Sequence, residues 1–446
     1  MALGGGTFIS QNKVLPGTYM NFVSMAAANA ALSDRGIVTM PLELDWGVED
    51  KVFTVTNEDF QKNSMKIFGY AYTDDKLKGL RDLFINAQTL HAYRLNSGGT
   101  KAGNDYATAL CSGTRGNDLK IRIQVNADDT TSWDVITYLG TAKVDEQTVS
   151  DADDLENNDY VEFKEGFTLA DVAAVPLSGG TNGTVDGSSY QAYADKIESY
   201  TYNTMGIVTT EDTVKKLFIA FNKRLRDEVG IKFQLVVYNY PEADYMGVIS
   251  VKNKCLDGAV KGEDSIMVYP NEAAAVYWVT GTECGCAVNA SCQNKIYDGE
   301  YMVDTDYTQT ELATAIKSGE FVLHNVNSEV RVLDDINTMV TMTDTCGDVF
   351  RDNQTIRIID QLANDDALIF NTKYLGKIPN DKAGRVSLWS DLVKVRKELQ
   401  TLRAIEDFND EDVIVEQGET KKSVVVNYNI TVVNAMSKLY MTATIA

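Results

Sequence analysis

Residues 205–238 read MGIVTTEDTVKKLFIAFNKRLRDEVGIKFQLVVY, a stretch that predicts a strand, a helix and a second strand. The strands are expected at 205–209 and 233–238, with Thr210 as the helix cap and Gly230 as the helix stop. Six apolar side chains between them recur at helical spacing: Val214, Leu217, Phe218, Phe221, Leu225 and Val229. Such a unit brings its two strands together in parallel, so residues 188–345 are predicted to form an α/β domain.

The rest of the chain divides around this unit. A chain of 446 residues is too long for one hydrophobic core and is expected to form about three domains. Residues 119–125 and 133–139 alternate apolar and polar side chains between two glycine-containing linkers, which predicts an inserted β-sandwich or barrel. The predicted segments are an N-terminal arm (1–30), the first part of the α/β domain (31–95), a β-rich outer domain (96–187), the α/β domain (188–345), a helical C-terminal domain (346–422) and a C-terminal strand arm (423–446).

Both ends of the chain carry strand patterns with no obvious partner nearby in sequence. Residues 423–446 alternate as two consecutive strands, and a run of three glycines at 4–6 precedes short apolar stretches. These strands could pair with another molecule, where backbone hydrogen bonds provide affinity, or pair within their own sheet. The candidate interface residues are Phe8, Ile9, Val14, Leu15, Val424, Val426, Tyr428, Ile430 and Val432.

Composition excludes several classes of protein. The net charge of −23 argues against DNA or an anionic membrane as a partner, because both require basic patches. No stretch reaches the roughly 18 apolar residues that a membrane helix requires, and no secretory signal is predicted at the start. Six cysteines do not make a disulfide framework, so free thiols in a reducing cytoplasm are expected.

The sequence offers few residues for catalysis or cofactor binding. Cys284, Cys286 and Cys292 provide three sulfur atoms where zinc requires four ligands, and no histidine lies nearby in sequence. His91 and His324 lie in strand-like runs, and no Gly-x-Ser-x-Gly motif accompanies them. No phosphate-binding loop is present. We therefore predict no catalytic residues, no metal and no cofactor.

One segment departs from the general acidity of the chain. Residues 346–403 contain ten Lys or Arg and eight Asp or Glu, a net charge of +2. Residues 385–403 also carry a helical stripe of Leu388, Leu392, Val395, Leu399 and Leu402. The segment either faces an acidic partner or carries the mixed charge that is usual on a solvated helix.

Several motifs together resemble a known family. They include NKVLPGTYMNF at 12–22, VRVLDDINT at 330–338, FRDNQTIRIID at 350–360, YLGKIPN at 374–380, FNDEDV at 408–413 and MSKLYM at 436–441. In order and spacing they are similar to the contractile tail sheath proteins of bacteriophages and phage-tail-like bacteriocins, especially the PBSX-like type. The resemblance covers nearly the whole chain.

The resemblance implies a multidomain α/β fold: a subtilisin-like α/β domain without protease activity, a helical α/β C-terminal domain, an inserted β-rich domain, and N- and C-terminal strand arms. It also implies stacked hexameric rings that form a helical sheath, with arms joining neighbouring subunits. The implied partners are the chain itself, an inner tail tube protein, and baseplate and tail terminator proteins, with neither direct nucleic-acid binding nor membrane insertion. The expected location is a virion tail or phage-tail-like particle assembled in the bacterial cytoplasm.

By the same resemblance, the basic helical region lies innermost, and its candidate tube-facing residues are Lys394, Arg396, Lys397 and Arg403. The sheath would contract and drive the tube through a bacterial envelope. Two other functions stay open: a serine hydrolase with a subtilisin-like fold, and another self-assembling protein such as a tube or surface-layer subunit. Tube proteins are usually shorter, so the length of this chain favours the sheath.

Overall fold

A computed structural model of the protein describes residues 35–261 and 267–445. Within this part the chain forms two compact units. The larger comprises residues 35–357 and 435–445, and the smaller comprises residues 358–434. The N-terminal arm candidates Phe8, Ile9, Val14 and Leu15 lie outside the described residues.

A seven-stranded sheet forms the centre of the larger unit. Its strands are β1 (Ile37–Leu42), β2 (Val52–Thr56), β3 (Thr89–Arg94), β11 (Thr204–Ile207), β12 (Gln234–Tyr238), β13 (Val248–Val251) and β16 (Glu320–Phe321). They are arranged in the order β16-β13-β12-β11-β1-β3-β2, and each neighbouring pair is parallel except the edge pair of β3 and β2. The parallel β11–β12 pair confirms the strand–helix–strand prediction.

Six helices belong to the larger unit: α1 (Asn57–Phe68), α2 (Lys78–Phe84), α3 (Gly187–Ile197), α4 (Asp212–Arg224), α5 (Ala275–Gly285) and α6 (Gln309–Lys317). Thr56 caps α1 by accepting a hydrogen bond from the Asp59 amide, and Gly69 ends it in the left-handed region at φ 78°. The sequence predicted Thr210 as the cap of α4, and this prediction was wrong. Glu211 occupies the N-cap position, and no side chain caps the helix. One turn of π-helix, Leu225–Val229, extends α4 to Gly230, where the prediction ended it.

The residues between β3 and α3 form the inserted domain. Its strands are β4 (Lys101–Gly103), β5 (Ala107–Ser112), β6 (Leu119–Val125), β7 (Trp133–Leu139), β8 (Ala142–Val149), β9 (Val161–Phe163) and β10 (Val172–Pro176). They make a three-stranded sheet, β4-β5-β9, and a four-stranded sheet, β10-β6-β7-β8. Inward-facing residues of both sheets, such as Ala109 and Ile121, share one apolar core. The predicted β-sandwich is confirmed.

The two linkers that lead into and out of this domain run side by side. The backbones of Thr100 and Thr181 exchange hydrogen bonds of 3.2 and 3.1 Å, and the Gly183 amide donates to Asn96 at 3.0 Å. The domain is therefore an insertion: the chain leaves the seven-stranded sheet after β3, returns beside its point of exit, and contributes further strands to the same sheet.

Two hairpins complete the strands of the larger unit: β14 (Val260–Lys261) with β15 (Met267–Val268), and β17 (Leu323–Val326) with β18 (Glu329–Val332). A long helix, α7 (Asn353–Ile369), then leads the chain from the larger unit into the smaller one. The smaller unit also contains α8 (Lys382–Thr401), β19 (Ile405–Glu406), β20 (Val413–Gln417), β21 (Val424–Tyr428) and β22 (Thr431–Val432).

The apolar stripe on α8 is buried within the subunit, as the sequence predicted. Leu388, Leu392, Val395 and Leu399 are all buried, whereas Val386 on another face is more than half exposed. Side chains spaced by three and four residues lie on one face of a helix, so the stripe packs while the remaining faces stay available for partners.

Candidate assembly surfaces

The C-terminal strand residues pair inside their own chain. β21 pairs antiparallel with β20 along its full length, from Val424 opposite Gln417 to Tyr428 opposite Val413, and β22 pairs with β19. The turn between β20 and β21 closes through a 2.8 Å hydrogen bond from the Gly418 amide to the Ser423 carbonyl. Strands immediately upstream therefore provide the backbone partners that the sequence analysis had considered for a neighbouring subunit.

The predicted alternation is nevertheless present in these strands. Val424, Val426, Ile430 and Val432 are partly buried, and Val425 and Thr431 between them are exposed. Tyr428 is an exception, because it is 37% exposed while its ring stacks on a guanidinium group. The sequence thus predicted the correct side-chain period but could not identify the partner strand.

Residues 435–445 do not form the second predicted strand in this structure. Five large apolar side chains in this segment are at least 80% exposed: Met436, Leu439, Tyr440, Met441 and Ile445. The segment has an apolar, alternating sequence, and its only hydrogen bond recorded among the described residues joins the Ala435 amide to Gln354 Oε1 at 2.9 Å. A strand needs a neighbour for its backbone groups, and within the described chain these residues have none.

One predicted tube-facing residue, Arg396, is buried and cannot face a partner. Its guanidinium makes a two-pronged ion pair with Asp366, at 2.6 and 2.5 Å, and lies 4.2 Å from the centre of the Tyr428 ring. Its side chain is 0% exposed. The prediction was wrong for this residue because Arg396 lies on the apolar face of α8, four residues after Leu392 and three before Leu399.

The other three candidates are exposed on or just beyond the same helix. Lys397 forms a surface ion pair with Asp410 at 2.7 Å, and Lys394 lies 3.9 Å from Glu398. Arg403 follows the helix with φ 61° and is exposed. These three cations are therefore available to a partner.

An exposed apolar patch at the connection between α7 and α8 was not found from the sequence. Its members are Leu368, Phe370, Leu375, Ile378 and Val386, each 36–58% exposed. Several of them border a small cavity of about 100 Å³ that Val424 also lines. The signal that could have revealed the patch is the pair Leu375 and Ile378 in a loop rich in glycine and proline, where apolar side chains have no core to join.

The cysteine region lies beside a buried group of charges in the larger unit. Arg357 Nη2 lies 2.7 Å from Glu283 Oε2, 3.3 Å from Asp335 Oδ2 and 3.8 Å from Cys292 Sγ. One potential ligand atom each from Glu283, Cys292 and Asp335 lies within 4.8 Å of the other two. The guanidinium lies among these atoms, so the positive charge at this position comes from Arg357.

The two carboxyl groups of this cluster ionise differently. Burial and the neighbouring Asp335 raise the pKa of Glu283 well above its usual value. Burial opposes ionisation of Asp335 as well, but the charge of Arg357 and hydrogen bonds from the Cys292 amide and from Asn353 Nδ2 hold the pKa of Asp335 below its usual value. Of the two carboxyl groups, Glu283 is therefore the one whose surroundings favour the protonated form. The sequence analysis missed the cluster, because residues 283, 335 and 357 are brought together only by tertiary packing.

The two histidines lie in strands, as predicted. His91 in β3 is hydrogen-bonded through Nδ1 to Thr54 Oγ1 at 2.9 Å and packs against the Tyr200 ring. His324 in β17 lies opposite Arg331 in a separate hairpin. Burial lowers the pKa of both imidazoles. They belong to different sheets, so they do not form one site.

Within residues 35–261 and 267–445, every helix is too short or too polar to cross a membrane.

Family models cover most of the chain in four consecutive matches. They are the Gp18 tail sheath protein domain III N-terminal region (35–95), the phage tail sheath protein beta-sandwich domain (97–182), the phage tail sheath protein central domain (183–338) and the phage tail sheath C-terminal domain (346–446). The second of these ranges contains strands β4–β10 described above.

Relatives and solved structures agree with these matches. The phage-like element PBSX protein XkdK of Bacillus subtilis is 32% identical, over 98% of this chain and 99% of that protein. A sheath tail protein from Desulfitobacterium hafniense superposes with a TM-score of 0.78 at 36% identity, covering 93% of this chain and 96% of its own. The helical sheath of the anti-feeding prophage in its contracted state superposes at 0.56 with 12% identity, covering 97% and 99%, which shows a shared fold.

Proposed function

Because the chain belongs to the phage tail sheath protein family, and is a structural subunit of such a sheath, we propose that it polymerises as stacked hexameric rings around an inner tube. Contraction of this sheath would drive the tube through a bacterial envelope. The observation that carries the proposal is the exposed apolar segment 435–445, which has the alternation of a strand but no strand partner within the described chain.

The segment is suited to strand addition on a neighbouring copy. Its backbone would complete hydrogen bonds at an open sheet edge, and alternate side chains would enter pockets on that copy. The β20–β21 hairpin supplies such an edge, since within the described residues its sheet has only two strands. We therefore assign the C-terminal arm to 435–445 and the receiving site to the hairpin. The N-terminal candidates Phe8, Ile9, Val14 and Leu15 remain part of the proposed arm contacts.

The tube-facing surface is proposed to include Lys394, Lys397 and Arg403. All three are exposed, and they lie in residues 346–403, whose net charge is +2 in a chain of −23. An individual surface ion pair contributes only about 0–1 kcal/mol, so attraction to the tube would depend on repetition along many rings.

Contraction is proposed to be a change between two packings of the same subunits. Interfaces with two discrete arrangements release free energy when the more favourable one forms, and this step requires no nucleotide. Hydrogen-bonded arms would keep subunits connected while their bodies move, with glycines 4–6 providing a hinge. We propose no catalytic activity, and we take the subtilisin-like label to describe only the parallel-sheet architecture.

Baseplate and tail terminator proteins are the further partners that this function requires at the two ends of a sheath. Assembly is proposed to take place in the bacterial cytoplasm, where the free cysteines of the chain would stay reduced.

Removing the arm tests the proposal. A chain lacking residues 435–446 should fold as a monomer, because these side chains contribute little to its core, but it should not form sheath. Negative-stain electron microscopy and analytical ultracentrifugation would measure polymer length and sedimentation. This deletion is sharper than removing 423–446, which would also remove β21 and the Tyr428 ring that covers Arg396.

Point variants provide a matched control. Changing Leu439, Met441 and Ile445 to Gln alters one face of the arm and should abolish polymers, whereas changing Thr442 and Thr444 to Gln alters the opposite face and should largely preserve them. Normal sheath from the truncated chain, or equal effects of the two sets, would rule out this arm.

A further inference from the structure

Two cysteine thiols, those of Cys286 and Cys292, lie in one small cluster of polar groups at the end of α5 and interact with each other. Both also approach the carbonyl oxygen of Thr282, Cys286 through its amide at 3.0 Å and Cys292 through Sγ at 3.7 Å. The short loop between them therefore returns the second sulfur to the helix end that carries the first.

The buried charges hold this loop in position. Asp335 Oδ2 accepts hydrogen bonds from the Cys292 amide at 2.8 Å and from Ser291 Oγ at 3.0 Å. Arg357 Nη1 donates to the Ala290 carbonyl at 2.9 Å, the oxygen that Cys286 Sγ also approaches at 3.5 Å. The Arg357 guanidinium thus contacts Cys292 Sγ directly and shares the Ala290 carbonyl oxygen with Cys286 Sγ. Both sulfurs are held by the same hydrogen-bond network.

The two thiols are not equivalent. Cys292 is fully buried, whereas Cys286 is partly exposed. The hydrogen bond from Cys292 lowers the pKa of Cys286 to about 6; burial opposes this, and Arg357 and Arg35 favour the thiolate while Asp335 disfavours it. The pKa of Cys292 is raised by the same hydrogen bond and by burial.

We propose that Cys286 and Cys292 form an oxidation site, in which Cys286 reacts with a hydroperoxide and Cys292 then closes an intramolecular disulfide. Neither the sheath function nor the arm contacts are needed for this inference. A thiolate is the reactive form of cysteine, and a second thiol within contact completes the disulfide.

The reaction balances with a hydroperoxide as the oxidant. The Cys286 thiolate attacks one peroxide oxygen, an S–O bond forms and the O–O bond breaks. The leaving oxygen takes a proton from solvent, replacing the one that Cys286 gave up on ionising, and departs as water or an alcohol. Cys292 then loses its proton and attacks the Cys286 sulfur, an S–S bond forms, and the S–O bond breaks to release water. The two sulfurs together give up two electrons, and the peroxide is reduced.

Competitive alkylation of the full-length chain tests the reactivity. At pH 6.5, limiting iodoacetamide should label Cys286 about tenfold faster than Cys111 and Cys346, the other two partly exposed cysteines, whose thiol pKa values burial raises. Peptide mass spectrometry measures all three rates in one sample. Cys292→Ala removes the hydrogen-bond donor and should slow labelling of Cys286 at this pH. Equal labelling of the three thiols, or no effect of Cys292→Ala, would overturn the proposed activation.

Peroxide treatment tests the disulfide. One equivalent of hydrogen peroxide should remove two of the six free thiols and produce a 286–292 cross-linked peptide about 2 Da lighter than the reduced form. In Cys292→Ala, the same treatment should leave a sulfenic acid on Cys286 that dimedone traps. Cross-links to Cys111 or Cys346, disulfides between chains, or oxidation that spares Cys286 would each refute the site.

Discussion

Asp82 shows how one buried side chain couples the stability of this protein to pH. It lies in α2 and is fully buried, and its Oδ1 accepts a 2.7 Å hydrogen bond from the Glu300 amide. Its Oδ2 has no hydrogen-bond donor within the described part of the chain. Burial is the main cause that raises the pKa of Asp82 to about 6. The folded state therefore prefers the protonated form.

Asp82→Asn should stabilise the protein at neutral pH. In the unfolded chain the carboxyl titrates near its ordinary value of 3.8, so above pH 6 the wild type loses free energy by ionising a buried group. The advantage of the variant should be up to about 3 kcal/mol at pH 7 and should shrink as pH falls through 6, vanishing below about 4. Urea unfolding at several pH values measures it.

Asp186 provides the opposite control. It caps α3, and hydrogen bonds from Ser188 and Ser189 hold its pKa below the usual value. Asp186→Asn should therefore be less stable than the wild type at neutral pH, and this difference in stability should shrink as the pH is lowered. If the two variants respond to pH in the same direction, the assigned environment of Asp82 is incorrect.

At the scale of elements, Arg396 connects three parts of the smaller unit. It projects from α8, pairs with Asp366 on α7 and stacks on Tyr428 of β21. A buried ion pair tolerates the loss of one partner poorly, because the remaining charge keeps its desolvation cost. The residue therefore helps to hold the receiving hairpin against the helices.

Arg396→Leu should lower the free energy of unfolding by about 3 kcal/mol, at the lower end for a broken buried pair because Asp366 is partly exposed. Lys397→Leu, one position away and paired only at the surface, should change it by less than about 1 kcal/mol. Urea denaturation gives both values. Adding Asp366→Leu to Arg396→Leu should recover part of the loss. Equal costs for the two single variants would contradict the role assigned to Arg396.

At the scale of the whole molecule, the net negative charge opposes assembly, and the uneven distribution of charge favours one surface for binding an acidic partner. A net charge of −23 makes subunits repel one another, so a polymer requires specific contacts that overcome this repulsion. Residues 346–403, at +2, are where that repulsion is weakest and where an acidic partner would be attracted.

Reversing the charge of Lys394 and Lys397 to Glu should weaken binding of sheath to tube, and wild-type binding should fall as salt rises. Co-sedimentation of sheath with purified tube measures both effects. A matched control reverses Lys101 and Lys143 in the inserted domain, whose carboxylate neighbours lie at similar distances of 3.9 and 2.6 Å. Unchanged tube binding by the first variant at low salt, or equal loss in the control, would refute the proposed surface.

The amino-acid sequence by itself determined the elements whose signals are local. The apolar spacing of α4, the parallel strands on either side of it, the alternation of β6 and β7 and the buried stripe of α8 all follow from side-chain period. Period also placed Val424, Val426, Ile430 and Val432 on one side of the C-terminal strands. Which strand lies beside them was decided by tertiary structure, because backbone hydrogen bonds form between strands of almost any sequence.

Long-range packing decided the rest. Arg396 and Lys397 are adjacent cations, and only the position of Asp366 thirty residues earlier makes one a buried structural group and the other a surface group. Glu283, Asp335 and Arg357 likewise meet only after the sheet and α7 are in place. Segment 435–445 also shows that local pattern is not sufficient. Its alternation predicts a strand, but a strand forms only where another strand pairs with its backbone groups.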